Sequence, residues 1–275
     1  MAFSINVNPG ALNALRNLST TNRELEQTQT RINTGLKIGS AKDNAAVYSI
    51  AQKLRGDVKG LNAVTQSLDR GISSVDVALA AANAISDLVL EMKERAVAAA
   101  DEGLDTTSRE ALNEDFEALR DQITTIVNNA DFNGTNLIDG GTDRVTAITN
   151  VDATEKISVA HQDLTLAGSI IAIGPNSTIS SQTGATSVVA SLTSTVNNLN
   201  SVLTKLGSGS TTLENNRIFA GKLQDVIEVG IGNLVDADLA TESARLEALQ
   251  VQQQLGVQAL SIANQSPQTI LSLFQ

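Results

Sequence analysis

Residues 47–89 read VYSIAQKLRGDVKGLNAVTQSLDRGISSVDVALAAANAISDLV, and their spacing decides the fold. Val47, Leu54, Leu61, Leu68, Val75, Ala82 and Val89 stand seven apart, with Ala51, Val58, Thr65, Ile72, Leu79 and Ser86 between them. An a/d repeat held over six heptads is the signature of long helices wound around one another. The second half of the chain repeats the step at Leu192, Leu199, Leu206, Leu213, Ala220, Ile227 and Leu234. At 1.5 Å per residue each run spans roughly 60 Å. Rods of that length suit an assembly protein better than a compact enzyme.

Working outward, a first helix is expected from Pro9, a residue tolerated in a first helical turn. Its seam is Leu15, Leu18, Asn22, Leu25, Gln29, Ile32 and Leu36. Two polar seam positions make it dependent on partners. Ser40 and Asp43 have capping-box spacing ahead of the first rod, and Thr107 and Glu110 repeat it ahead of a helix through Leu112, Phe116, Leu119, Ile123, Ile126 and Ala130. Gly103 and Asp105 fall in the turn between these antiparallel helices. Asp131-Phe132-Asn133-Gly134 is a turn signal. Short β-like runs follow at 144–148 and 156–159, then a Ser/Thr-rich loop from Pro175 to Gly184, and the helical pattern returns near 186.

Gly207-Ser208-Gly209-Ser210 has the composition of a linker, but Leu206 and Leu213 keep the seven-residue step across it. The helix is therefore expected to run through, at about 1 kcal/mol per glycine. The rod glycines, Gly56, Gly60, Gly71, Gly207, Gly209, Gly221, Gly230 and Gly232, all avoid the a and d positions. They either admit a close neighbour or are tolerated surface residues. A last helix starts after Asp236-Ala237-Asp238, whose acids complement a helix N-terminus. Its stripe, including Leu246, Leu249 and Leu260, is wider than one seam. It should stop before Pro267, ahead of an apolar tail of Ile270, Leu271, Leu273 and Phe274. An apolar tail on an acidic chain calls for cover by an assembly or a chaperone.

The bulk numbers agree. Aromatics make up 2% of the 275 residues, so Ala, Leu, Ile and Val must build the core, as in thin close-packed helices. A net charge of −11 and a pI near 4.5 argue against a general nucleic-acid role. Residues 1–42 carry five basic against two acidic residues, and residues 236–275 one against four. The two ends can therefore attract each other. There is no cysteine, which rules out disulfides and thiol chemistry. No basic start followed by an apolar core suggests a cleaved signal, and no run approaches 18 consecutive apolar residues. No catalytic, cofactor or metal constellation emerges. His161 with Asp163 is an isolated pair, Asp236 and Asp238 lack further ligands, and Gly207 and Gly209 lack the Lys-Ser/Thr of a phosphate loop.

Several stretches resemble bacterial flagellin. They are Ile5-Asn6-Val7-Asn8 at the opening, the run from Thr34 through Gly35-Leu36-Lys37-Ile38-Gly39 to Ser40-Ala41-Lys42-Asp43-Asn44-Ala45-Ala46, and Phe132-Asn133-Gly134. Asp236-Ala237-Asp238-Leu239-Ala240-Thr241-Glu242 and Ala263-Asn264-Gln265-Ser266-Pro267-Gln268 with Leu271-Ser272-Leu273 complete the likeness, in the family's order. One departure is Ser210-Thr211-Thr212, where many relatives have Gln-Asn-Arg after the Leu-Gly at 206–207.

The resemblance implies a mainly α fold: a long antiparallel coiled-coil rod with discontinuous terminal helices and a small β-rich central element. Residues 1–42 and 236–275 would form a filament core packed through Leu15, Leu18, Leu25, Ile32, Leu246, Leu249, Leu260, Leu273 and Phe274. Residues 43–138 and 186–235 would form the rod, and 139–185 a short variable insert. It further implies self-assembly into the flagellar filament for swimming, export in an unfolded state through the flagellar type III apparatus, and an extracellular home, and no cofactor is expected. Implied partners are further copies, other flagellins, an export chaperone, and the cap and hook–filament junction proteins. The competing readings are the junction protein itself and a cytosolic coiled-coil adaptor. Exposed hydroxyls at Ser177, Thr178, Ser180, Ser181 and Thr183 are candidate glycosylation sites. In relatives, an Arg-Met-Arg-Glu-Leu-Ala-Val-Gln-like stretch contacts an innate-immune receptor of animals. Here the stretch reads Glu91-Met92-Lys93-Glu94-Arg95-Ala96-Val97-Ala98, with Glu91 and Arg95 as departures.

Overall fold

The computed structural model describes residues 8–271, with side-chain surroundings for residues 8–265. Leu273 and Phe274 lie outside the described residues. Five helices dominate: α1 (Pro9–Thr34), α2 (Ala45–Ala99), α3 (Thr106–Asn129), α4 (Gln182–Val235) and α5 (Leu239–Leu271). Two small antiparallel hairpins lie between α3 and α4, pairing β1 (Asp131–Phe132) with β2 (Thr135–Asn136), and β3 (Arg144–Ile148) with β4 (Lys156–Ala160). The chain divides into two units, one of residues 1–56 with 226–275, the other of residues 57–225.

The helix starts differ from the capping boxes expected at Ser40/Asp43 and Thr107/Glu110. Asn44 caps α2, its Oδ1 accepting from Val47 N at 3.1 Å. Asp43 instead folds the preceding turn, accepting from the Ser40 hydroxyl and from the Ser40 and Gly39 amides. The Ser40 hydroxyl is the main reason its carboxyl lies below the ordinary value of 3.8. Asp105 caps α3, accepting from Ser108 N at 2.9 Å and the Ser108 hydroxyl at 2.7 Å. Both bonds favour the ionised carboxylate and lower its pKa, the backbone bond most. A spacing of three residues fits several adjacent Ser, Thr and Asp pairs, and only the local dihedrals choose among them. Ser181 caps α4 through Gly184 N at 3.1 Å, so that helix begins ahead of 186. It continues through Gly207–Ser210, as the unbroken heptad step requires.

The second unit holds the densest core. In α2 the seven-residue column Leu61, Leu68, Val75, Ala82 and Val89 is buried, each residue at most 2% exposed. Its companion column is not the expected one. Val64, Ala78, Ile85, Met92 and Ala99 are buried, whereas Ile72 and Leu79 are half-buried flanks. Both a+3 and a+4 keep a seven-residue step. Which column is buried depends on the side from which neighbours arrive, and one helix does not encode that. An 18-residue window of α2 reaches a mean hydropathy of 1.4, long and apolar enough to cross a bilayer. Of that window 39% is buried within the protein.

On α4, Leu192, Leu199, Leu206, Leu213 and Ala220 are buried. This helix runs antiparallel to α2 within the unit. Arg217 Nε meets Asp69 Oδ1 at 2.7 Å, and Ser210 Oγ donates to Asp76 Oδ1 at 3.1 Å. Ile227 is half-buried and Leu234 is 38% exposed, so the buried column ends before the last two seam positions. From Val226 onward α4 belongs to the first unit.

Three of the off-seam glycines seat the β3–β4 hairpin. A Cβ on Gly60 would lie 2.3 Å from Val151 Cγ1, one on Gly71 3.2 Å from Val145 Cγ1, and one on Gly209 2.9 Å from Val159 Cγ2. Gly56, Gly207, Gly221 and Gly230 face open space. Close approach and tolerated surface are therefore both right, at different positions. The two-residue turn Asn133-Gly134, with φ of 55° and 79°, closes the β1–β2 hairpin as the Asn-Gly pair predicts. Arg109 clasps the α2–α3 turn by donating to the carbonyls of Ala99 at 2.8 Å and Asp101 at 2.7 Å.

Candidate assembly surface

In the first unit, α1 and α5 lie antiparallel and are joined along their length. Asn8 Nδ2 donates to Ala263 O at 2.7 Å, Gln253 Nε2 to Asn22 Oδ1 at 2.8 Å, and Arg31 Nη1 to Glu242 Oε1 at 2.9 Å. Beyond α1, Ala237 N donates to Gly35 O at 2.9 Å and Lys37 N to Val235 O at 2.7 Å. Gly35, with φ of 70°, ends α1 in the left-handed conformation that glycine adopts without strain. Leu18 packs over Gly256, where a Cβ would lie 3.2 Å from its Cδ1. Asn22, an interruption in the apolar seam, thus has a specific partner on α5.

The expectation that the last helix stops before Pro267 is overturned, since α5 continues to Leu271. Proline lacks the N–H that would bond the carbonyl four residues back. That carbonyl is Ala263 O, and Asn8 Nδ2 supplies the missing donor. The same side chain caps α1, its Oδ1 accepting from Ala11 N at 3.1 Å. One asparagine therefore starts the first helix and repairs the last.

The opposite charges of the ends meet in one mostly buried pair. Arg31 and Glu242 side chains are 20% and 11% exposed. The pair is single-pronged, because Arg31 Nε and Glu242 Oε2 have no hydrogen-bond partner. A second contact, Arg245 to Glu24 at 3.5 Å, is solvated and weak. Asp238 opens α5 by accepting from the Thr241 hydroxyl at 2.7 Å and from Ala240 N, which lowers its pKa, the hydroxyl contributing most.

What the pair leaves uncovered is its main feature. On α1 only Thr28 is buried, and on α5 only Glu242 and Leu249 among the described side chains. Leu18, Leu25, Ile32, Leu246 and Leu260 are half-buried, and Leu15 is exposed. Leu12, Leu239, Val251, Leu255, Val257 and Ile262 are exposed as well, with Ile262 at 69%. A groove of about 380 Å³ between the helices is lined by Leu15, Leu18, Leu25 and Gln253 among others. The pair thus has polar ties along its seam and large aliphatics open on the outside, a pattern that marks interaction surfaces.

The remaining candidates lie in the second unit. Met92 and Ala96 are fully buried, leaving Glu91 and Glu94 exposed and Arg95 half-exposed. Arg95 Nε lies 3.6 Å from Asp115 Oδ2 on α3, an ion pair too long to be a hydrogen bond. The 176–183 segment is pinned, not merely solvated. Arg120 Nη1 donates to Ser177 O at 3.0 Å, and Ile179 N donates to Asn113 Oδ1 at 2.7 Å. Ser177 Oγ accepts from Gly174 N and Ser181 caps α4, so Thr178, Ser180 and Thr183 are its exposed hydroxyls without such a structural duty. Among the described residues no group of three or more His, Cys, Asp or Glu could hold a metal.

The architecture defines a helical polymer subunit whose first and last helices pair and present apolar surface outward. Family models agree: that of the bacterial flagellin N-terminal helical region matches residues 5–143, and that of the C-terminal helical region residues 189–274. The chain is 49% identical to flagellin FljM of Caulobacter vibrioides over 272 residues, covering 99% of this chain and 98% of the relative. It is 39% identical to a flagellin of Brucella melitensis, covering 99% of each. Among solved structures, the fold resembles a putative flagellar hook-associated protein from Vibrio parahaemolyticus, with a TM-score of 0.59 at 13% identity over 70% of this chain and all of that one. It also resembles Bacillus cereus flagellin, with a TM-score of 0.51 at 19% identity over 56% of this chain and 87% of that one. The chain belongs to the bacterial flagellin family. It is a short flagellin, a structural subunit of the flagellar filament, which is an extracellular appendage.

Proposed function

We propose that α1 and α5 form the core of the filament, and that neighbouring copies bury the apolar faces this pair leaves open. In this division residues 1–42 and 236–275 are the filament core, 43–138 and 186–235 the surrounding rod, and 139–185 a surface insert. The observation that carries it is the uneven exposure. Among the described residues, eleven of the seventeen exposed large hydrophobics lie in the first unit, which has the fewer residues, and seven of these are on α1 and α5. The chain leaves the cell through the flagellar type III apparatus, held by an export chaperone that covers the C-terminal segment. It joins the hook at the junction proteins, grows beneath the cap, mixes with other flagellins and performs no catalysis. Glycans, where present, attach at Thr178, Ser180 or Thr183, and an intact mass equal to the bare 28.7 kDa chain would remove that assignment.

Seeded polymerisation followed by sedimentation tests the proposal. Truncation after residue 235, Leu260→Asp and Leu255→Asp should each abolish pelletable filament while the second unit stays folded by circular dichroism. Leu255 is the sharpest site. It is 57% exposed, so its replacement costs the monomer little, while an unpaired charge buried in every lattice contact costs several kcal/mol. Stable filaments from the Leu255→Asp protein would contradict the assignment of this face.

A further inference from the structure

A cleft of about 260 Å³ opens within the second unit where α2 meets both hairpins. Its wall carries Arg70, Ser67 and Ser74 from α2, Asn133 and Thr135 from the β1–β2 tip, and Arg144 from β3. No carboxylate lines it. Two exposed arginines, Arg70 and Arg144, line it in a chain whose net charge is −11. Neither guanidinium has a hydrogen-bond or ion-pair partner among the described residues, although Arg31, Arg95, Arg120, Arg217 and Arg245 all do. An anion in the cleft would supply the counter-charge that neither side chain finds among the described residues.

Ser74 is an independent sign. It is 6% exposed, and its Oγ is buried without a hydrogen-bond partner. Its neighbour Ser73 behaves as helical serines usually do, donating to Asp69 O at 2.9 Å. Ser74 makes no such bond. A buried hydroxyl with nothing to bond is a standing cost that native proteins rarely carry without cause. Ser67 has capacity to spare as well. Its Oγ accepts from Ile148 N at 3.3 Å, which leaves its proton free to donate.

We propose that this cleft binds a small oxyanion of the phosphate or sulfate type, free or carried on a small molecule. Arg70 and Arg144 supply the cationic arms, whose planar forks suit oxyanions. The Ser67 hydroxyl and the Asn133 amide supply further donors, and the Ser74 hydroxyl, closed to solvent in the empty cleft, joins them by turning about its Cα–Cβ bond. The volume is that of roughly eight or nine waters at about 30 Å³ each, enough for a tetrahedral group and the atoms that bear it. Binding ties the β1–β2 tip and β3 to α2, so it stabilises the second unit by linkage.

The test is isothermal calorimetry on the full-length monomer, with inorganic phosphate and separately glucose 6-phosphate against chloride at constant ionic strength, alongside thermal unfolding. Saturable one-site binding by either ligand is expected. The tighter of the two tells a free anion from a borne one. Arg70→Gln and Arg144→Gln should each weaken binding at least tenfold, while Arg55→Gln, on α2 away from the cleft, leaves it unchanged. Ser74→Ala should unfold at an equal or higher temperature in chloride, because an unpaired buried hydroxyl is removed, yet gain less from phosphate than the parent. Heats no larger than those of chloride, or binding that survives the Arg70→Gln/Arg144→Gln pair, would overturn the site.

Discussion

At the scale of single residues, Asn8 shows how much one side chain can carry. Pro267 frees the Ala263 carbonyl, and Asn8 both caps α1 and bonds that carbonyl at 2.7 Å. The proline and the asparagine are each legible in the sequence, but their partnership is not, because 255 residues separate the bonded pair. The stretch from Glu91 to Ala98 carries a sharper consequence. Met92 and Ala96 are in the core, so a receptor bound at this stretch, as the family resemblance implies, would meet Glu91, Glu94 and Arg95 on its outer side. Against the motif that the resemblance implies, Glu91 reverses a charge and Arg95 stands in place of a leucine. A reversed charge at a desolvated contact costs about 2–5 kcal/mol, well over tenfold in affinity. The monomer should therefore be a poor agonist on receptor-reporter cells, and Glu91→Arg with Arg95→Leu should restore activity. Full activity of the parent chain, or no gain from the double change, would count against this.

At the scale of elements, the heptads set out where α2 and α4 run, and Leu61, Leu68, Leu199, Leu206 and Leu213 sit in the core as their spacing requires. The companion column was not legible. Ile72 and Leu79 keep the same step as Ile85 and Met92, and only the arrival of neighbouring elements buries one set and not the other. The glycines divide for a related reason. Gly207 and Gly209 are two residues apart and indistinguishable by composition, yet only the second lies under Val159. Gly207→Ala should stabilise the monomer by up to about 1 kcal/mol, the helix-propensity difference. Gly209→Ala gains the same propensity but drives Cβ to 2.9 Å from Val159 Cγ2, so the hairpin must shift. Thermal unfolding should place the first variant above the parent and the second below it. The reverse order would mean that the hairpin does not rest on Gly209.

At the scale of the whole molecule, the sequence pointed to paired ends, through their opposite charge and their motifs, but not to how little the pairing would bury. Only Thr28 on α1, and Leu249 with Glu242 among the described side chains of α5, are removed from solvent. A helix pair with so little buried area is marginal alone. Limited proteolysis of a verified monomer should therefore trim both ends and leave a fragment near 43–235, whereas the same ends in the filament should resist. Ends that resist in the monomer would show the pair to be stable without the lattice. The most direct test is a helical reconstruction of the filament by electron cryo-microscopy at side-chain resolution. The account predicts that α1 and α5 form the filament core, and that most of Leu15, Val251, Leu255, Val257 and Ile262, all more than half exposed in the single chain, become buried against neighbouring copies. A filament in which these residues still face solvent, with its contacts made by other surfaces, would contradict it.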